Sequence, residues 1–176
     1  MRRIFLIGYM GSGKTTLGKA FARFLHLQFI DLDAYIEERF HKTVSQIFAE
    51  KGESGFREME HHLLHEVGEF EDVVIAAGGG TPCFFDNIDY MNRAGQTVFL
   101  DVRTDVLLRR LKAGKAKRPL LAGKTDAELE GVITEGLARR RPYYSQAAYR
   151  FNGEELEDRH QIQQSVERLA ELLDNP

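Results

Sequence analysis

Gly8-Tyr9-Met10-Gly11-Ser12-Gly13-Lys14-Thr15 fits the pattern G-x-x-x-x-G-K-[ST], a glycine-rich turn whose backbone cradles phosphate groups. Glycines permit dihedrals that turn successive N–H groups inward, and a helix opening at the end of the loop adds the positive end of its dipole where phosphates sit. Lys14 can reach β- and γ-phosphates, and the Thr15 hydroxyl is placed to ligate Mg²⁺. The flanks agree with this reading. Ile4-Phe5-Leu6-Ile7 is a continuous apolar run ending at glycine, as in a strand buried on both faces of a parallel sheet, and Leu17, Ala20, Phe21, Phe24 and Leu25 then recur at helical spacing. Strand, glycine loop and helix in that order leave an accidental tight turn as a poor account of the stretch.

Working outward, the alternation repeats. Short strands are expected at Gln28–Asp31, Val73–Ala76 and Thr97–Leu100, with a fifth at Ala148–Phe151. Helical spacing shows at Val44-Ile47-Phe48, Leu63-Leu64-Val67, Val106-Leu107-Leu111 and Ile162-Val166-Leu169-Leu173. This predicts an α/β fold on a mostly parallel sheet, as one domain over residues 1–176, with no internal repeat and no linker. Two segments interrupt the alternation: residues 33–61 insert helices, and residues 112–124 form a basic loop bounded by glycines. Insertions of this kind carry substrate binding or lid movement.

Composition bounds the partners. A net charge of −3 gives no general attraction to nucleic acid or to an anionic membrane. Its distribution is uneven, because between Arg103 and Lys124 eight basic residues face the single acid Asp105, a stretch that expects an anionic partner. Cys83 is the only cysteine, so no disulfide framework exists and a reducing, cytoplasmic setting is expected. The apolar start at Ile4 ends at Gly8, too short for a signal peptide, and no run approaches the ~20 residues that span a bilayer.

Asp31-Leu32-Asp33 ends the second strand, on the carboxyl edge where open α/β sheets bind ligands. Alone, an aspartate there is most simply a helix N-cap. Beside a phosphate loop, one acid can hold a metal or its waters and the other a substrate hydroxyl. Gly78-Gly79-Gly80 follows the third strand, and three consecutive glycines imply close approach of a ligand or another backbone. No acid ends that strand, so Asp31 is the expected metal-side carboxylate, with Asp101 after the fourth strand as a rival. His61 and His65 form an i, i+4 pair suited to zinc, but the sequence offers no evident third ligand, and a solvent-facing row of histidines with His62 explains them equally well.

In order along the chain, Gly8–Thr15, Asp31-Leu32-Asp33, Phe56-Arg57, Gly78-Gly79-Gly80, Arg118-Pro119-Leu120-Leu121 and Arg140-Arg141-Pro142-Tyr143-Tyr144 resemble the shikimate kinase family. That family's pattern is a phosphate loop, D-x-D, F-R, G-G-G, R-P-L-L in a lid and R-x-P-x-Y, and the likeness runs from about residue 3 to residue 152. The resemblance implies a three-layer α/β/α fold with a five-stranded sheet, a helical substrate-binding insertion at 33–61 and a basic lid at 112–124. It implies ATP-dependent phosphorylation of the 3-hydroxyl of shikimate, a step of chorismate and aromatic amino-acid biosynthesis, with Mg²⁺ and in a monomer. ATP would be held by Gly11, Ser12, Gly13, Lys14, Thr15, Thr16, Arg110 and Arg118. Shikimate would be held by Asp33, Arg57, Gly78, Gly79, Gly80 and Arg140, the two arginines gripping its carboxylate and Val44, Phe48 and Phe56 lining the apolar side. Lys14, Asp33 and Arg118 would carry catalysis, and Thr15 and, through water, Asp31 would hold the metal. Arg109 rivals its neighbour Arg110, and Glu60 is placed to orient Arg57.

Two other readings remain at this stage. The same scaffold serves kinases for gluconate or a nucleoside monophosphate; Arg57 with Arg140 beside Asp33 favours a carboxylate-bearing acceptor. A nucleotide-dependent switch without turnover is disfavoured by the absence of an N-K-x-D guanine-recognition motif.

Overall fold

β1 (Arg3–Ile7) is the central strand of an all-parallel sheet in the order β2-β3-β1-β4-β5. The computed structural model describes residues 1–114 and 121–175; the other strands are β2 (Gln28–Asp31), β3 (Val73–Ala76), β4 (Gln96–Asp101) and β5 (Tyr149–Asn152). Leu6 pairs with Ala76 on one side and Val98 on the other, so the loops that leave β1, β3 and β4 emerge together on the carboxyl edge.

Successive residues of β1 point to opposite faces. Ile4 and Leu6 pack with Leu17 and Phe21 of α1 (Lys14–Leu25) and with Val166 and Leu169 of α7 (Arg159–Asp174). Phe5 and Ile7 pack on the opposite layer, with Ile36 of α2 (Leu32–Phe40), Leu64 of α3 (Val44–Gly68), Leu107 of α5 (Thr104–Ala113) and Ile133 of α6 (Asp126–Tyr144). All of these are buried, each contributing roughly 1.5–3 kcal/mol against the entropy of ordering. The result is the expected three-layer α/β/α frame.

The expected helical insertion is α2 and α3, the latter starting at a capping box between Thr43 and Gln46. Gly52 breaks α3 with φ 69°, ψ 178°, a left-handed position that a glycine takes without a side-chain clash. The break brings Phe48 and Phe56 onto one wall, their ring centroids 4.6 Å apart. Two helices went unread in the sequence. α4 (Asn87–Ala94) is too short to show a period, and the inward face of α6 is diluted by Gly136 and Arg140. The histidines of α3 are not a uniform solvent-facing row: His61 and His65 are half-buried, because α4 folds back over that face, while His62 is exposed. No helix among the described residues is long and apolar enough to cross a membrane.

Candidate active site

The phosphate loop joins β1 to α1, and its geometry follows from the glycines. Gly13 caps α1 in the left-handed region at φ 98°, and Gly11 has φ 81°, conformations that aim backbone donors at the loop's hollow. Lys14 Nζ donates to the carbonyls of Gly8 at 2.7 Å and Tyr9 at 3.0 Å, which holds the ammonium across the loop. Ser12 is buried within the loop; Thr15 and Thr16 open the helix beside it.

Asp31 caps α2 and at the same time faces the phosphate loop. Its Oδ1 accepts from the Ala34 amide at 3.1 Å, capping α2, while Oδ2 accepts from the Thr15 hydroxyl at 2.8 Å. Thr15 and Asp31 are therefore adjacent, a hydroxyl and a carboxylate of the hard-oxygen type that Mg²⁺ prefers. The rival Asp101 is committed elsewhere. It pairs with Arg150, whose Nε lies 2.7 Å from Oδ2, and with Arg141 at 3.7 Å, tying β4 to β5 and to α6.

A single cleft of about 1170 Å³ runs from the phosphate loop to the wall formed by α2 and α3. Lys14, Thr15, Thr16, Asp31, Asp33, Val44, Phe48, Phe56, Arg57, Gly78, Gly79, Gly80, Arg110 and Arg140 all line it. The glycine triplet sits where side chains from separate helices converge. A Cβ on Gly78 would lie 3.1 Å from Asp33 Oδ1, one on Gly79 3.0 Å from Arg140 Nη1, and one on Gly80 2.6 Å from Arg57 Nη2. The triplet leaves room for a close approach, made chiefly by side chains rather than by the ligand or backbone its composition suggested, and Gly80 itself has an ordinary φ of −92°.

Arg57 is fixed from several sides. Nη1 donates to Glu60 Oε1 at 3.0 Å, and the guanidinium carbon lies 4.2 Å from the centre of the Phe84 ring. Glu60 is 1% exposed and also accepts from Thr81 Oγ1 at 2.8 Å. Burial pushes its carboxyl up against the lowering influence of Arg57. Arg140 lies over the Tyr9 ring at 5.4 Å, while Arg139 and Arg141 on either side are exposed. Tyr144 OH donates to Gly79 O at 2.5 Å, pinning the end of α6 to the triplet.

Asp33 is raised from the usual carboxylate value of 3.8 to about 6, chiefly by burial, then by the negative neighbours Glu60 and Asp31; Lys14 pulls the other way. At neutral pH it is therefore mostly ionised yet close to its titration, the condition for accepting a proton.

At the phosphate-loop end, Arg110 reaches the cleft and Arg109 does not. Arg110 donates to Gly11 O at 3.2 Å, Gly153 O at 2.8 Å and Glu154 O at 3.0 Å, whereas the exposed Arg109 meets only Glu157 among the described residues. Arg118, with the rest of lid residues 115–120, lies outside the described residues.

Sequence reasoning missed Tyr9, Thr81, Leu156 and Glu157 as contributors. Tyr9 and Tyr144 stood inside quoted motifs without a role, so their positions were legible but not their contacts. Nothing in the sequence marks Leu156, which packs against Gly13 so closely that an added Cβ there would meet Leu156 Cδ1 at 2.3 Å.

A family model described as Shikimate kinase matches residues 10–171. Among curated relatives, the chain is 64% identical to a shikimate kinase of Bacteroides thetaiotaomicron over 99% of this chain and 99% of that one. A crystal structure of shikimate kinase from that organism superposes with a TM-score of 0.97 at 64% identity, covering 98% of each chain. A shikimate kinase from Acinetobacter baumannii in complex with shikimate superposes with a TM-score of 0.85 at 31% identity, covering 99% of this chain and 94% of the other. Because the family model spans nearly the whole chain and the relatives align over almost their full lengths, this chain belongs to the shikimate kinase family.

Proposed function

We propose that this protein transfers the γ-phosphoryl group of ATP to the 3-hydroxyl of shikimate, giving shikimate 3-phosphate and ADP. The observation that carries the reading is the convergence of Asp33, Arg140 and Arg57 on three consecutive glycines across the cleft from the phosphate loop. Two guanidiniums at neighbouring residues suit one carboxylate, since each planar fork can give two parallel donors. Val44, Phe48 and Phe56 supply an apolar wall for the ring, and Asp33 lies beside them for a hydroxyl.

Positioning and charge dominate phosphoryl transfer. Lys14 and Arg118 draw the transferring group's charge, while Asp33 orients the acceptor hydroxyl and takes its proton as the new P–O bond forms. The bond from the γ-phosphorus to the bridging oxygen breaks, and its electrons leave with ADP. Thr15 and, through water, Asp31 would hold Mg²⁺, which would neutralise phosphate oxygens there. Arg110, anchored on Gly11 and on the loop after β5, holds the nucleotide side. Every proposed residue comes from one chain, so a monomer suffices, and the half-buried free Cys83 fits the reducing cytoplasm.

A coupled ADP-release assay with ATP and Mg²⁺ tests the assignment against shikimate, gluconate and nucleoside monophosphates. Turnover with shikimate alone is expected. Turnover with a nucleotide or gluconate and none with shikimate overturns the substrate and leaves the kinase fold intact.

A further inference from the structure

His61 and His65 lie one turn apart on α3, and the fold brings Asp86, the residue preceding α4, against them. One ligand atom from each of the three falls within 4.8 Å of the others. None of them lines the catalytic cleft.

Several independent features prepare these groups as ligands. Asn87 is fully buried and its Nδ2 donates to Thr81 O at 2.9 Å, so its Oδ1 faces His61 Nδ1 at 2.6 Å. With the amide oxygen as acceptor, His61 must carry its proton on Nδ1, which leaves the lone pair on Nε2. An outer hydrogen bond of this kind fixes tautomer and ring orientation in metal-binding histidines. His65 Nε2 is buried and has no hydrogen-bond partner among the described residues, an arrangement that otherwise costs free energy. The His65 ring is held by stacking on Tyr90, with centroids 3.7 Å apart. Asp86 caps no amide of α4, and among the described residues its carboxylate pairs with the exposed Arg93 at 3.6 Å, a surface pair that costs little to give up.

We propose that His61, His65 and Asp86 form a binding site for a divalent transition-metal ion of the zinc class, distinct from the Mg²⁺ and nucleotide site. Two imidazoles and a carboxylate are a donor set that zinc accepts, and three protein ligands leave a fourth, open position. Zinc–nitrogen bonds of about 2.0–2.1 Å place ligand atoms about 3.3 Å apart in a tetrahedral site. Closing the present cluster asks for roughly an ångström of movement, within reach of Asp86 and the His61 ring. The outer partner Asn87 bonds to Thr81, which bonds to Glu60 beside Arg57, so the site braces the same turn that carries the carboxylate clamp.

The test uses the full chain without nucleotide or Mg²⁺. Zn²⁺ is titrated by calorimetry against a competing chelator, and Co²⁺ is followed by its visible absorption as a report of tetrahedral coordination. One ion per chain is expected, with a rise in melting temperature that follows Zn²⁺ concentration. His61→Gln and His65→Gln should each weaken binding by at least the roughly 10–100-fold that follows loss of an outer-sphere partner. Replacing His65 can unsettle its stack on Tyr90. Asp86→Asn, exposed and outside the cleft, therefore carries the test independently: it should weaken Zn²⁺ binding about tenfold or more and leave kinase turnover unchanged. Absence of saturable binding overturns the proposal, and so does Zn²⁺ affinity that is the same in wild type, Asp86→Asn and His65→Gln.

Discussion

Gly80→Ala tests the clamp without touching any polar group. Gly80 has φ −92° and ψ −12°, a conformation alanine adopts, so backbone strain is not introduced. The added Cβ would lie 2.6 Å from Nη2, 2.8 Å from Nη1 and 2.9 Å from Cζ of Arg57, whereas ordinary contact begins at 3.4 Å, so the guanidinium must retreat by roughly 0.5–0.8 Å. Retreat is resisted by Glu60 at 3.0 Å and by the Phe84 ring at 4.2 Å. A misplacement approaching an ångström can cost about a hundredfold in rate, and a weakened charge-assisted hydrogen bond costs roughly 1.5–3 kcal/mol. The expected loss in kcat/KM for shikimate is therefore about ten- to hundredfold, with the KM for ATP unchanged and the melting temperature little altered. The loss should vanish in an Arg57→Ala background, where nothing remains to displace. Wild-type kcat/KM in Gly80→Ala, or an equal loss with Arg57 absent, would refute the reasoning that Gly80 positions Arg57.

Lys14→Met should retain the circular dichroism spectrum and lose more than about tenfold in kcat, a barrier increase above ~1.4 kcal/mol; smaller losses contradict its role. For Asp33, kcat/KM should fall as pH drops through about 6, as the carboxylate takes up a proton, and Asp33→Asn should erase that limb. Stability follows the opposite sense: a carboxyl raised in the fold contributes stability below its unfolded value of 3.8 that is lost as pH rises through about 6, so Asp33→Asn should melt higher than wild type above pH ~7 and show no gain near pH ~4. A melting difference that does not change with pH refutes the electrostatic account. Arg118→Ala should lower kcat with little change in the shikimate KM, as for a contact that strengthens in the transition state; a change in KM alone makes it a ground-state ligand.

The elements that sequence revealed are those whose physics is local. β2 and β3 fall on the residues expected because short apolar runs between polar turns leave few alternatives, and β1 and β4 extend theirs by one or two residues. The phosphate loop was legible because its glycines, lysine and threonine each answer to one chemical need. The glycine triplet announced a close approach but not what approached; that Asp33, Arg140 and Arg57 land on it in sequence depends on how α2, α6 and α3 pack, which no window of sequence contains. Arg110 and Arg109 have the same chemistry and adjacent positions, so only the rotation of α5 decides between them. Asp86 is separated from His65 by a strand and a turn, which is why the pair of histidines lacked a third partner in the sequence.

The bonds of Arg110 have a consequence for how the protein is made. The phosphate loop is synthesised well before its far wall, which is Leu156 against Gly13 and the Gly153 and Glu154 carbonyls held by Arg110. Its supporting strand β1 pairs with β3 and β4, both translated later. A nascent chain thus carries the phosphate-loop sequence long before it has a nucleotide pocket, and domain-sized units fold as such contacts close. Affinity for ATP should appear only after residues 153–157 have left the ribosome, which makes nucleotide capture a late event that follows these contacts rather than a nucleus for folding.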